Sequence, residues 1–188
     1  MPFSQVFLII ISGLGVIHGL FLAVFLWTKQ NGNTLANRLL SLLLIVLSFR
    51  IGKSVFLEFL NDLDAKFIFT GLGTLMAIGP LFYLYASACT NVSFRLTRNH
   101  MLHFLPCLLA VLFGFWVTDE HLQTLPKPLF FILFISYYSH YLIYLILTRR
   151  YISHKQREGL ADKKYKLLTL LFYGLLIIWV AYVLNLFE

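Results

Sequence analysis

Residues 6–28 read VFLIIISGLGVIHGLFLAVFLWT, an apolar run without one charged side chain. At about 1.5 Å of rise per residue, a helix of this length crosses a bilayer core about 30 Å thick. The run lacks the two-residue alternation of a barrel strand, and in lipid only a helix or a closed barrel satisfies its own backbone. The residues before it, Met1 to Gln5, carry no basic side chain, and no small-residue cleavage site follows. Residues 6–28 therefore read as a retained span and not as a signal peptide.

Five further segments pass the same length test: 39–59, 67–87, 101–118, 129–148 and 167–187. Of the 188 residues, 60% are hydrophobic and only 12% are charged, with a mean hydropathy of +0.82. Soluble domains carry roughly twice that share of charge. There is too little charge here to cover a globule, so lipid is the expected solvent. The expected fold is all-α: a polytopic helical membrane bundle of six transmembrane helices. Residues 1–188 form one domain, with no internal repeat and no linker long enough to divide it.

The loops orient the spans. Lys29 and Arg38, then Arg95 and Arg98, then Arg149, Arg150, Lys155, Arg157, Lys163, Lys164 and Lys166 put eleven basic residues in loops one, three and five. Loops two and four hold only Lys66 and Lys127, among Glu58, Asp62, Asp64, Asp119 and Glu120. The positive-inside rule places the first set in the cytoplasm and the N-terminus outside. The same rule accounts for the net charge of +7 without nucleic acid, whose partners present a solvated basic face. Direct nucleic-acid binding by this segment is not expected.

Polar side chains within the spans are the candidate functional residues, because each is costly in lipid. Arg50 and Lys53 come first. Their i, i+3 spacing puts both cations on one helix face, beside Ser54, Leu57 and Asn61. One reading is a buried cationic site for an anionic ligand or lipid headgroup. The other is snorkelling toward the outer interface near Glu58 and Asp62. In the first span, Gly15 and Gly19 form a GxxxG pair suited to close helix packing and compatible with a homodimer. His18 beside them is a candidate proton-linked or hydrogen-bonding residue. In the third span, Gly79-Pro80 should bend or break the helix. In the fifth, Ser136, His140 and Tyr144 are four apart and make one polar stripe.

Signatures of catalysis are missing. The chain has no HExxH, nucleophile elbow or phosphate-cradling glycine loop. No span holds a carboxylate away from its outer end, which a general acid–base pair requires. Cys89 and Cys107 have neither a disulfide framework nor metal-ligand spacing. No enzyme activity, cofactor or metal is expected.

Several phrases in order carry a family resemblance. They are Gly-Leu-Phe-Leu-Ala at 19–23, Asn-Arg-Leu-Leu-Ser-Leu-Leu-Leu at 37–44 and Arg-Ile-Gly-Lys-Ser at 50–54. Ile-Gly-Pro-Leu-Phe-Tyr-Leu-Tyr at 78–85 and His-Phe-Leu-Pro at 103–106 complete the set. Together they resemble the N-terminal membrane region of bacterial AraC-type transcriptional regulators, in which a multi-span domain precedes a cytoplasmic helix-turn-helix domain. The resemblance implies a sensory or regulatory domain in the bacterial inner membrane, responding to an unidentified signal ligand. DNA would be reached only through a C-terminal domain that these residues do not contain. Six spans leave Glu188 outside, so a seventh span beyond it is expected before any such domain. The alternative is a free-standing helical membrane protein, a transporter component or assembly partner, with structural Arg50 and Lys53.

Overall fold

The computed structural model describes residues 3–57 and 65–184, and all the regular structure among them is helical. Eight α-helices follow one another: α1 Phe3–Thr28, α2 Thr34–Leu57, α3 Ala65–Thr90, α4 Arg98–Met101, α5 Leu105–Trp116, α6 Asp119–Thr124, α7 Lys127–Arg157 and α8 Asp162–Leu184. A 3-10 turn, Leu102–Phe104, joins α4 to α5. Six stretches are long and apolar enough to cross a membrane, with α4, the turn and α5 together making the fourth. By length and composition the architecture is that of a multi-pass membrane protein. The expected ends at residues 59 and 187, and Glu58, Asn61, Asp62 and Glu188, lie outside the described residues.

The helices start and stop for local reasons. Asn33 caps α2, its Oδ1 accepting from the Ala36 amide at 3.0 Å. Pro106 has no amide hydrogen and its ring clashes with the carbonyl four residues back. The fourth span accordingly narrows to a 3-10 turn before Pro106, which sits in the first turn of α5. Thr118 caps α6, its hydroxyl accepting from the His121 amide at 3.3 Å. The fifth span runs well past its apolar stretch to Arg157, through a segment in which Arg149, Arg150, Lys155, Gln156 and Arg157 are good helix formers. It ends at Gly159, whose φ of 90° an L side chain rarely adopts. There the Gly159 amide donates to Gln156 O at 3.1 Å and the Leu160 amide to Lys155 O at 3.0 Å, a Schellman stop. Pro80 lies inside α3 without interrupting it.

The bundle is organised around α3. Of its span 72% is buried, against 6% for α1. Helices α2, α5 and α7 all pack on α3, α1 packs on α2, and α8 packs mainly on α7. Leu39 and Leu43 of α2, Leu75, Ile78 and Phe82 of α3, and Tyr141 and Leu145 of α7 form the main core. A second core at the other end joins Phe69, Met76, Ala110 and Tyr137. Glycine sets the α3–α5 distance: a Cβ on Gly73 would lie 2.8 Å from the Val111 amide nitrogen, and one on Gly114 would strike the Thr70 backbone. Such backbone approach is what small residues provide between helices in lipid, where water exclusion gives no drive.

Polar contacts gather the basic loops at one end of the bundle. Asn33 Nδ2 donates to Ala88 O at 2.6 Å and Lys164 Nζ to Cys89 O at 2.9 Å. Thr90 Oγ1 and Tyr151 Oη are 2.8 Å apart. The last carbonyls of α3 are thus satisfied by side chains from loop one and α8, and a cation meets the negative end of the helix. Loops one, three and five therefore share one end, the arrangement an up-and-down bundle requires.

Candidate functional site

Arg50 sits roughly 18 Å along α2 from Arg38, at 1.5 Å per residue, well inside the span. It is only 9% exposed. Its guanidinium carbon lies 4.6 Å from the ring centre of Tyr182, near the far end of α8. Nη1 reaches Ser54 Oγ at 3.4 Å, and Nε is buried with no hydrogen-bond partner. Tyr138 of α7 also lies within electrostatic reach of Arg50, as does Tyr182. Neither tyrosine hydroxyl has a hydrogen-bond partner among the described residues. Trp179, one turn before Tyr182, donates from Nε1 to Tyr138 O at 3.0 Å and holds α8 against α7 here.

Lys53 is 5% exposed and takes a different direction. Its ammonium donates to Ile68 O at 3.0 Å and lies 4.9 Å from the Phe67 ring centre, both on α3. Gly71 makes room for it: a Cβ there would collide with Nζ and lie 2.7 Å from Cε. The i, i+3 pair thus starts from one face of α2 and diverges, Arg50 toward α8 and Lys53 toward α3. Among the described residues neither cation has a carboxylate partner; at the basic end Glu158 pairs with His154 and Lys155, and Asp162 with Lys166. There the Lys155 ammonium, 2.7 Å away, holds the Glu158 carboxyl below its usual range.

The other candidates fall elsewhere. His140 and Tyr144 gather with His103 and Tyr83: His103 Nδ1 and Tyr144 Oη are 2.6 Å apart, and the His140 and Tyr144 rings are 4.9 Å apart. His140 Nδ1 is buried and unpartnered. Gly79 admits this cluster, because a Cβ there would lie 2.6 Å from Tyr144 Cβ, and Pro80 is buried beside it. Ser136 is exposed and donates to Leu133 O of its own helix at 2.7 Å, so it stands outside the stripe. On α1, a Cβ on Gly19 would strike the Ser48 hydroxyl of α2, whereas Gly15 has nothing within 4 Å. His18 is exposed and has no hydrogen-bond partner among the described residues. A groove of about 430 Å³ between α1 and α2 is lined by Val16, Leu20, Ile45, Phe49 and Gly52, with Lys53 and Phe67 at one end. Cys89 and Cys107 are free and half-buried. No group of three metal-ligating side chains occurs among the described residues.

Tyr138 and Tyr182 are the members of the Arg50 centre that sequence reading misses. Their signal is faint: a tyrosine hydroxyl within an apolar span needs a partner, but the sequence does not say which helix supplies it.

Comparison with protein-family models, with curated proteins and with solved structures finds no match to this chain.

Proposed function

We infer that this chain is a membrane-embedded sensory domain, without catalytic activity, in which the Arg50 centre on α2 takes an anionic signal. The N-terminus lies outside and the basic loops face the cytoplasm, as the loop charges require. The observation that carries this reading is a nine-tenths buried guanidinium with no carboxylate partner among the described residues, an unpaired Nε, and its main contact on α8.

Charge inside a membrane is costly and is kept where it pairs, conducts or binds. Arg50 contacts Ser54 on α2 and Tyr182 on α8 and has Tyr138 of α7 within electrostatic reach, so an anion bound there has differential contacts in two arrangements of α8. That is the requirement for a ligand to shift a conformational equilibrium. The resemblance to the membrane region of AraC-type regulators supplies the output: transcription, through a DNA-binding domain beyond these residues.

The test is made on the chromosomal gene. Deleting it is expected to change a defined set of transcripts. Arg50→Ala is expected to fix those transcripts at one level, with the protein's abundance in the membrane unchanged. A transcript pool unaffected by the deletion refutes the regulatory role.

A further inference from the structure

We propose that the ligand of the Arg50 centre is an anionic amphiphile drawn from the bilayer, its headgroup held by Arg50, Tyr138 and Tyr182. The inference rests on the reading of Arg50 as a ligand site and adds the chemistry of what binds there.

The donors point to an oxyanion. A guanidinium presents five N–H groups in a planar fork that matches carboxylate and phosphate oxygens. Here Nε has no acceptor and Nη1 has a single one at 3.4 Å, near the limit of a hydrogen bond. The Tyr138 and Tyr182 hydroxyls add two donors without partners among the described residues. Burial makes the vacancy at Nε costly, since an unsatisfied buried donor keeps its full desolvation penalty. An oxyanion bound beside Arg50 would supply the acceptor that Nε lacks and offer one to the two hydroxyls.

The route comes from the helices. Helix α8 packs mainly on α7 and much less on α3, while α2 packs on α1 and α3. Arg50 reaching Tyr182 is a side-chain bridge between α2 and α8. A headgroup bound to it can arrive sideways from lipid, with its tail remaining among acyl chains. The walls of the centre, Tyr138, Trp179 and Tyr182, are aromatic and suit the base of a hydrocarbon chain. Free fatty acid and anionic phospholipid share this chemistry.

Trp179 is a built-in reporter, one turn from Tyr182. In a Trp27→Phe, Trp116→Phe background, the chain is placed in phosphatidylcholine nanodiscs and titrated with dibromostearate, or with brominated phosphatidylglycerol. Saturable quenching of Trp179 is expected from at least one of the two, and the one that quenches names the source. Arg50→Met should raise the midpoint about tenfold, the loss of one charge-assisted hydrogen bond. Tyr138→Phe and Tyr182→Phe keep their rings and should raise it about threefold, the loss of one neutral bond. Arg50→Lys, which keeps the charge, should fall between wild type and Arg50→Met. Brominated phosphatidylcholine should quench all variants alike, which confirms that α8 is still in place.

A midpoint for both anionic probes within twofold of wild type in Arg50→Met overturns the proposal. So does an equal Arg50 dependence with brominated phosphatidylcholine, or acetate displacing the probe as well as a long-chain carboxylate does. If the probe binds as described while gene deletion leaves transcription untouched, the site stands and the regulatory reading falls.

Discussion

Replacing Arg50 by methionine should make the unliganded protein more stable. An arginine at the centre of a membrane helix costs about 2.5–3.5 kcal/mol on insertion scales. The stack on Tyr182 at 4.6 Å returns about 0.5–2 kcal/mol. The 3.4 Å contact with Ser54 adds about 0.5 kcal/mol at most, being long for a hydrogen bond. The balance leaves Arg50 unfavourable by about 1 kcal/mol, roughly a fivefold change in the folded-to-unfolded ratio. Methionine has a similar unbranched stem and leaves little void. Equilibrium unfolding in mixed micelles, with an anionic denaturing detergent and Trp fluorescence as the signal, reads this directly. A gain of about 1 kcal/mol identifies Arg50 as a residue kept for something other than stability. A loss of about 2 kcal/mol or more, the size of a core truncation, refutes the reasoning and makes Arg50 a structural rivet between α2 and α8.

Further outcomes follow from the packing and from the loop charges. Gly71→Ala puts a methyl group where the Lys53 ammonium lies and should cost about 1–3 kcal/mol as overpacking. Lys53→Met should recover part of that loss in a double-mutant cycle. Gly114→Ala meets Thr70 backbone rather than a side chain that can swing away, so the loss should reach about 3 kcal/mol, the top of the overpacking range. Gly174→Ala, with nothing within 4 Å, is the control and should be neutral or better in the same unfolding assay. Tyr144→Phe strips His103 of its 2.6 Å partner and should cost about 1 kcal/mol, whereas Ser136→Ala should change nothing measurable. With Cys89 and Cys107 replaced, a cysteine at Gln123 should react with an impermeant maleimide on intact cells, and one at Lys163 only after permeabilisation.

Much of the fold was legible because lipid imposes a single crude demand, an apolar helix of sufficient length, and residues 6–28 meet it without help from tertiary contacts. The ends were less so. Helix α7 continues to Arg157 because hydropathy marks where lipid stops and not where a helix stops; its stop is written in Gly159. The 3-10 turn at Leu102–Phe104 follows from Pro106, but only the folded chain shows the fourth span starting as early as Arg98. In the candidate site, Arg50 and Lys53 stood out as charges in apolar sequence. Their divergence did not, because helical spacing fixes where a side chain begins and long, flexible stems decide where it ends. Gly71, Tyr138 and Tyr182 acquire meaning only when α3, α7 and α8 are brought beside α2. His140 and Tyr144 do lie together, but around His103, which sequence spacing leaves forty-one positions from Tyr144.

The most direct measurement is ligand-linked stability. Anything that binds the folded state alone raises stability by about 2.7 kcal/mol at a hundred times its dissociation constant. Thermal unfolding of the full chain in phosphatidylcholine nanodiscs, with and without added oleate or phosphatidylglycerol, should show the wild-type midpoint rising with at least one of them. The Arg50→Met midpoint should start higher and rise less, by about 1.4 kcal/mol where wild type gains about 2.7, because its affinity is about tenfold weaker. A midpoint that rises equally in both proteins contradicts an anion site built on Arg50.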